Sequence, residues 1–259
     1  MKKLKKILYP LCALILILAA WNLWKIKAST DQAQKLYDGL SKKARTVQEE
    51  EDKERSESNQ EENEDSSKKK TNSWLAKLQK ENDELVAWIK IPGTVIDYPV
   101  MQTEEDNDYY LTHDFNREEN VHGAPFLDVN CKLGASDNLI IYGHHMRDKT
   151  MFQNLMLYEN ADFCKSNGTI YFDTLDSSQQ YQVILVMLIS AEEAEDFPYY
   201  KGISFSNNDS FQAYLTQCSK YAIWQSDTLP DSKTQLLTLS TCEYSKENGR
   251  LVVIAEISS

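Results

Sequence analysis

The stretch LLTLSTCEYSKENGRLVVIAEI near the C-terminus sets Cys242 at the end of one apolar run and Arg250 at the start of the next. The intervening Asn248-Gly249 pair favours a tight return between two strands. If the runs pair antiparallel, Cys242 and Arg250 emerge on adjacent strands at one rim of a sheet. A thiol that attacks a carbonyl needs a base or imidazolium to generate and balance its thiolate. It also needs a donor for the oxyanion of the tetrahedral intermediate, and an arginine keeps its charge at any relevant pH. The chain has four histidines: His113, His122, His144 and His145. The pair His144-His145 follows the run LIIY and Gly143, so a rigid strand end would hold a histidine against a cleft. Adjacent strand positions face opposite ways, so only one of the two can face Cys242. No regular ligand spacing such as HExxH accompanies them, and neither a metal nor another cofactor is expected. Spacing alone leaves the bland alternatives open: a small buried cysteine, a surface arginine and a loop histidine.

The elements that must position these residues read mostly as strands. TVIDYPVM, APFLDV and NLIIYGH are short β-branched or aromatic runs. TIYFDTL and QYQVILVMLISAEE, joined by the turn-like DSSQ, predict a hairpin, and TQLLTLST and RLVVIAEI close the chain. In SWLAKLQKENDELVAWIKI, residues Trp74, Leu75, Leu78, Leu85, Val86 and Ile89 recur at near-helical spacing and predict an amphipathic opening helix, broken by Pro92-Gly93. MFQNLMLYENADFCKSN, ending before Gly168, and SFQAYLTQCSKYAIW, opened by Asn208, Asp209 and Ser210, predict two more helices. From residue 73 onward the length suits one domain. Many strands and few helices predict a mostly β domain: a closed or nearly closed barrel with peripheral helices.

Ahead of this domain, ILYPLCALILILAAWNLW from Ile7 to Trp24 carries no charge and is long enough to cross a bilayer as a helix. Lysines at 2, 3, 5 and 6 precede it, which predicts a cytoplasmic N-terminus over 1–6. The expectation is a single-pass transmembrane signal-anchor over 7–24, a charged stalk over 25–72 and an extracellular catalytic domain over 73–259. A cleaved signal peptide shares the same grammar, but Leu18 spoils the small-x-small pattern before a cut at Ala20. The chain carries a net charge of −12, which argues against a nucleic-acid partner, whose binder would show a basic stripe. Cys131, Cys164, Cys218 and Cys242 are widely spaced without a CxxC, and are expected as free thiols rather than as a zinc site or a disulfide framework.

TLSTC at 238–242 followed by Arg250 resembles the TLxTC…R signature of sortases, and YGHHM at 142–146 is similar to their histidine segment. WIKIPGTVIDYPVMQ at 88–102 and NDYYLTHDF at 107–115 resemble class B sortases in particular. The likeness runs from about Leu75 to the C-terminus. It implies an eight-stranded β-barrel and a cysteine transpeptidase of the Gram-positive cell surface. Such an enzyme cleaves a C-terminal sorting signal of P-x-T type on a secreted protein. It holds the acyl group as a thioester and passes it to an amine of a peptidoglycan precursor or cross-bridge.

Carried over by residue, the resemblance implies Cys242 as nucleophile, His144 as proton donor and acceptor, and Arg250 as the holder of substrate and oxyanion. The Glu243 N–H would be a second oxyanion donor. It further implies that Tyr142, Ser240, Glu243, Asn107 and Leu111 line the substrate groove. EDFPYYKGISF at 195–205 falls at the family's specificity loop, with Tyr199 or Tyr200 touching substrate. An ordinary thiol and an ordinary imidazole form the thiolate–imidazolium pair only as a minority at neutral pH, so a bell-shaped pH profile is expected. A pilus-building sortase would have a lid segment and often a second hydrophobic segment; neither is visible before the chain stops at EISS. STCEYSKENGR does not fit the SxGCxR context of L,D-transpeptidases, and a papain-like enzyme carries its cysteine early, opening a helix. A non-catalytic membrane-tethered surface module is the alternative of a different class.

Overall fold

The runs rich in β-branched and aromatic residues form nine strands: β1 (Leu85–Lys90), β2 (Asp97–Met101), β3 (Phe126–Leu127), β4 (Asn138–Tyr142), β5 (Thr169–Thr174), β6 (Ser178–Ile189), β7 (Ala222–Gln225), β8 (Leu236–Glu243) and β9 (Gly249–Ile257). In this computed structural model, which describes residues 2–58, 72–245 and 248–258, they pair in the order β5-β1-β2-β3-β4-β8-β9-β6-β7. The additional pairing of β5 with β6 closes eight of them into a barrel and leaves β7 beside β6. β2–β3 and β4–β8 run parallel, and the other pairs antiparallel. Closure removes the free edges that an open sheet would expose.

Among the described residues, six α-helices accompany the barrel: α1 (Lys2–Ser58), α2 (Ser73–Gln79), α3 (Tyr109–Thr112), α4 (Ala161–Ser166), α5 (Ala191–Asp196) and α6 (Asn208–Ser219). Two 3-10 segments, Phe152–Glu159 and Tyr199–Lys201, complete the set. β9 shows why its run is apolar almost throughout. Leu251, Val253 and Ala255 join the main core, whereas Val252 and Ile254 join a second cluster under Phe211, Leu215 and Cys218 of α6. A strand buried on both faces loses the polar alternation of a half-solvated one.

Three local expectations differ from what is observed. The opening helix stops at Gln79, and Leu85–Lys90 is strand β1, paired with both β2 and β5. Asn82 makes the break: its amide donates to the Phe115 carbonyl and the Tyr110 hydroxyl, and its oxygen accepts from Glu84 N–H. The single helix expected over 151–167 is divided at Asn160, whose side chain accepts from the N–H groups of Asp162 and Phe163 and so caps α4. The helix expected to run to Trp224 ends at Ser219, and Ala222–Gln225 becomes β7 against β6.

The expected membrane anchor requires correction. Among the described residues no helix is long and apolar enough to cross a membrane. The single-pass localisation, with a cytoplasmic N-terminus and an extracellular catalytic domain, is therefore not supported. Side chains of the apolar run are described only from Leu14 onward. From there to Trp24 a helix rises about 15 Å, half of a hydrocarbon core of about 30 Å; the side chains at 7–13 lie outside the described residues.

The segment read as a stalk continues α1. On it, Ala33, Tyr37, Leu40 and Ala44 are buried, and Tyr37, Leu40 and Ala44 belong to the main core. Tyr37 stacks edge-on against Tyr98 at 5.4 Å and donates its hydroxyl to the Gly123 carbonyl. Asp97 at the start of β2 accepts from Ser41 at 3.0 Å and Arg45 at 2.6 Å of α1, and from the Trp88 indole at 2.7 Å. The acid-rich residues 59–71 lie outside the described residues.

Candidate active site

Cys242 and Arg250 are direct cross-strand partners in the β8–β9 pair, with Glu243 opposite Gly249, so the return is longer than the expected Asn248-Gly249 pair. Asn248, just before β9, adopts a left-handed conformation at φ +50°, which asparagine tolerates better than most residues. β4 runs parallel on the other side of β8, with Tyr142 opposite Ser240. Beyond the end of β4, two bonds staple the histidine segment to the cysteine strand. Gly143 N–H donates to the Ser240 carbonyl at 3.2 Å, and the Thr241 hydroxyl donates to the Gly143 carbonyl at 2.8 Å. Position 143 must be glycine on steric grounds: a Cβ there would stand 2.6 Å from the ring of buried Phe152.

The strand ends open on a groove of about 500 Å³. Cys242, His144 and Arg250 all line it, and so do Tyr142, Ser240, Asn107, Leu111, Tyr199 and Tyr200. The two adjacent histidines are resolved by their surroundings. His144 faces the groove, and its Nε2–H donates to the Leu111 carbonyl at 2.7 Å. His145 turns away: its Nδ1–H donates to the Cys242 carbonyl at 2.8 Å, and its ring lies 4.9 Å from that of Tyr244. The Arg250 Nη1 donates to the carbonyls of Asn248 and Gly249 at 3.1 and 2.9 Å. That fixes one arm of a guanidinium whose fork carries further donors.

The groove residues differ in what their polar atoms can offer. Tyr199 is buried and its hydroxyl shares a hydrogen bond of 2.8 Å with Ser240, so it ties the segment after α5 to the cysteine strand. Burial raises its phenol above the ordinary value despite that bond. Tyr200 is exposed at the groove mouth. The Tyr142 hydroxyl donates to Asp128 at 3.0 Å, and burial, followed by the nearby Asp128 charge, raises its phenol. Asn107 accepts from Val129 N–H at 2.9 Å, which anchors the opposite wall.

Glu243 is the exception among the expected groove residues. Strand alternation turns it away from the face of Cys242, and its buried carboxylate accepts from Ser245 N–H and Oγ, each at 2.7 Å. Sequence reasoning missed Thr241, Asp128 and the wall residue Phe126. Thr241 sits inside the quoted TLSTC and Asp128 two residues past Phe126 in APFLDV, but only the β4–β8 and β3–β4 pairings, respectively, reveal what they hold.

A half-buried thiol, an oriented imidazole and a guanidinium around one apolar-walled groove can perform acyl transfer from a peptide carbonyl through sulfur. Residues 89–258 match the sortase domain family. Sortase B of Staphylococcus aureus is 36% identical over 183 residues, covering 70% of this chain and 72% of that relative. The Staphylococcus aureus sortase B–substrate complex superposes with a TM-score of 0.73 at 30% identity, over 88% of this chain and 97% of that one. A sortase B complexed with triglycine gives a TM-score of 0.73 at 29% identity, over 88% and 98%. The chain belongs to the sortase family, among the class B enzymes, and is a cysteine transpeptidase.

Proposed function

We propose that Cys242, His144 and Arg250 carry the transpeptidation, on a sorting signal of P-x-T type and an amine of peptidoglycan. The thiolate of Cys242 attacks the carbonyl carbon of the signal's threonine. Arg250, with the Glu243 backbone N–H, stabilises the oxyanion while the C–N bond breaks. His144, as imidazolium, gives its proton to the leaving amine. Its Nε2 is engaged with the Leu111 carbonyl, so Nδ1 is the nitrogen that exchanges the proton. The resulting thioester is attacked by the incoming amine, His144 takes up that amine's proton, and Cys242 departs as thiolate.

The observation that carries this reading is the convergence of Cys242, His144 and Arg250 on one groove, with Cys242 and Arg250 in cross-strand register. A substrate complex and a triglycine complex among the similar sortase B structures support a signal peptide and an amine as the two partners. Tyr142, Ser240, Asn107, Leu111 and Tyr200 are the proposed signal contacts, with Tyr199 setting the position of the 195–205 wall through Ser240.

The test is a quenched-fluorophore peptide with an Asn-Pro-x-Thr core, incubated with the chain and triglycine. Mass spectrometry should find the cut after threonine, a threonyl–triglycine product and a thioester on Cys242 when triglycine is omitted. Cys242→Ala should abolish all three. A Cys242→Ala variant that still cleaves and transfers would overturn the assignment.

A further inference from the structure

The buried histidine that the reaction does not use lies between the two segments that fix the one it does use. His122 is 1% exposed. Its Nε2–H donates to Asp148 at 2.6 Å, and its Nδ1 lies 3.2 Å from the Asn120 side-chain oxygen. A core histidine with satisfied nitrogens is ordinarily a packing residue; here the identity of its partners gives it a second task.

Asp148 sits at the tip of a small hairpin whose root is His144. Phe152 N–H donates to the His144 carbonyl at 2.8 Å, His145 pairs with Met151, and Lys149 N–H donates to the Met146 carbonyl at 3.1 Å. Lys149 and Met151 hold φ of +68° and +53°. Such conformations are costly for residues with a Cβ and persist only where surrounding bonds enforce them. Asp148 does so from inside, accepting from Thr150 N–H at 3.1 Å and Oγ1 at 2.6 Å. Burial alone would raise its carboxyl, but the bonds from His122 and Thr150 outweigh burial and hold it below the usual carboxylate range.

His122 itself belongs to the segment that places the Leu111 carbonyl, the acceptor for His144. Asn120 N–H donates to the Thr112 carbonyl and Ala124 N–H to the Tyr110 carbonyl. Gly123, at φ +57°, lies so close that a Cβ would stand 2.9 Å from the Leu111 oxygen and 2.2 Å from that of Tyr110. The Gly123 carbonyl is held in turn by Tyr37 of α1.

We propose that His122 and Asp148 are a positioning pair for His144: one bond between them locks the hairpin that carries the imidazole to the segment that carries its acceptor. This rests on the reading of His144 as the proton carrier. A ring displaced by about an ångström costs up to about a hundredfold in rate, so loss of the bond should lower kcat while leaving the signal groove, and KM, nearly unchanged.

The experiment uses the full chain, the Asn-Pro-x-Thr peptide and triglycine, with His122→Phe, Asp148→Ala, Asp148→Asn and the double variant His122→Phe/Asp148→Ala. The two disruptive single variants should lower kcat about 10- to 100-fold with KM within about twofold. The double variant should be no worse than the poorer single one, because the two residues act as a unit. Asp148→Asn keeps one oxygen for His122 but gives up the acceptor for Thr150 N–H, and should lose clearly less kcat than Asp148→Ala. In 15N–1H spectra of histidine-labelled protein, the His144 Nε2–H signal should broaden or vanish in His122→Phe and Asp148→Ala and persist in Asp148→Asn.

Should His122→Phe not fold, Asp148→Ala, in a partly exposed loop, carries the test. An unchanged kcat together with an unchanged His144 signal in either folded disruptive variant would overturn the pair's role, as would a loss confined to KM. Should the peptide not be turned over, the Nε2–H signal decides alone. His144→Ala run in parallel separates the two readings. If it stays active, His144 is not the proton carrier; if it is dead while the His122 and Asp148 variants keep the parent's kcat, only the positioning pair fails.

Discussion

Cys242 differs from the other described cysteines in its surroundings. Burial pushes the thiols of Cys131 and Cys164 up to about 11 and that of Cys218 up to about 12. Cys242 is only half-buried and lines the groove. Because the thiolate is the reactive form, a thiol at 11 presents about one thiolate in a thousand at pH 8. Brief exposure to iodoacetamide at pH 8, followed by peptide mapping, should find Cys242 alkylated and the other three modified at most about one-tenth as far. Equal labelling of Cys164 or Cys218 in the folded protein would show that burial does not separate these thiols. The shared rim of Cys242 and Arg250 was legible from two apolar runs that pair antiparallel, whereas their exact register was not, because Gly249 lies in β9 opposite Glu243 and not at the centre of a two-residue turn. The Glu243 carboxylate is occupied by Ser245, whereas Ser240 and Cys242, two apart, share a face.

At the scale of elements, the strands with strong β-branched or aromatic character were legible, and so was their assembly into a barrel. The misread segments share a cause. β1 carries LVAWI, whose apolar residues fit a helical template as well as a strand buried on both faces, and periodicity cannot separate the two. Asn82 ends its element through side-chain bonds to Tyr110 and Phe115 that only the fold supplies, whereas Asn160 opens α4 as a local N-cap for Asp162 and Phe163, a signal present in the sequence itself. Gly143 was legible as a turn at a strand end, but its stricter requirement is the ring of Phe152. Phe152 is fully buried and cannot retreat, so in Gly143→Ala the His144 hairpin must move instead. We expect a loss of about 1–3 kcal/mol in urea unfolding, the usual cost of overpacking, and a fall in kcat of more than about tenfold as the imidazole is displaced. A Gly143→Ala protein within about 0.5 kcal/mol and twofold of the parent would show that the hairpin has room to adjust.

Across the whole molecule, α1 is an integral wall of the domain rather than a tether that merely ends at it. Its buried residues Ala33, Tyr37, Leu40 and Ala44 follow helical spacing. They read as a sparse stripe because two are alanines and polar residues surround all four. What makes so narrow a face sufficient is Asp97, which collects Ser41, Arg45, Trp88 and, at 3.7 Å, Lys90. Burial alone would raise its carboxyl, but the bonds from Arg45 and Trp88 and the Lys90 charge overcome burial and hold it below the ordinary value. A carboxylate lowered on folding binds fewer protons in the folded state than in the unfolded one. Its contribution is therefore complete above the unfolded value of about 3.9 and is lost as pH falls through the folded one. Asp97→Asn should cost about 1–3 kcal/mol at pH 7, the scale of hydrogen bonds to a charged group. It should also reduce the further loss seen on going from pH 7 to pH 3, because the asparagine has no proton to gain. Urea unfolding of parent and variant at the two pH values measures both effects, and subtracting the variant's loss removes the carboxylates they share. A variant that loses as much stability as the parent between pH 7 and pH 3 would mean that Asp97 does not couple α1 to the barrel through its charge.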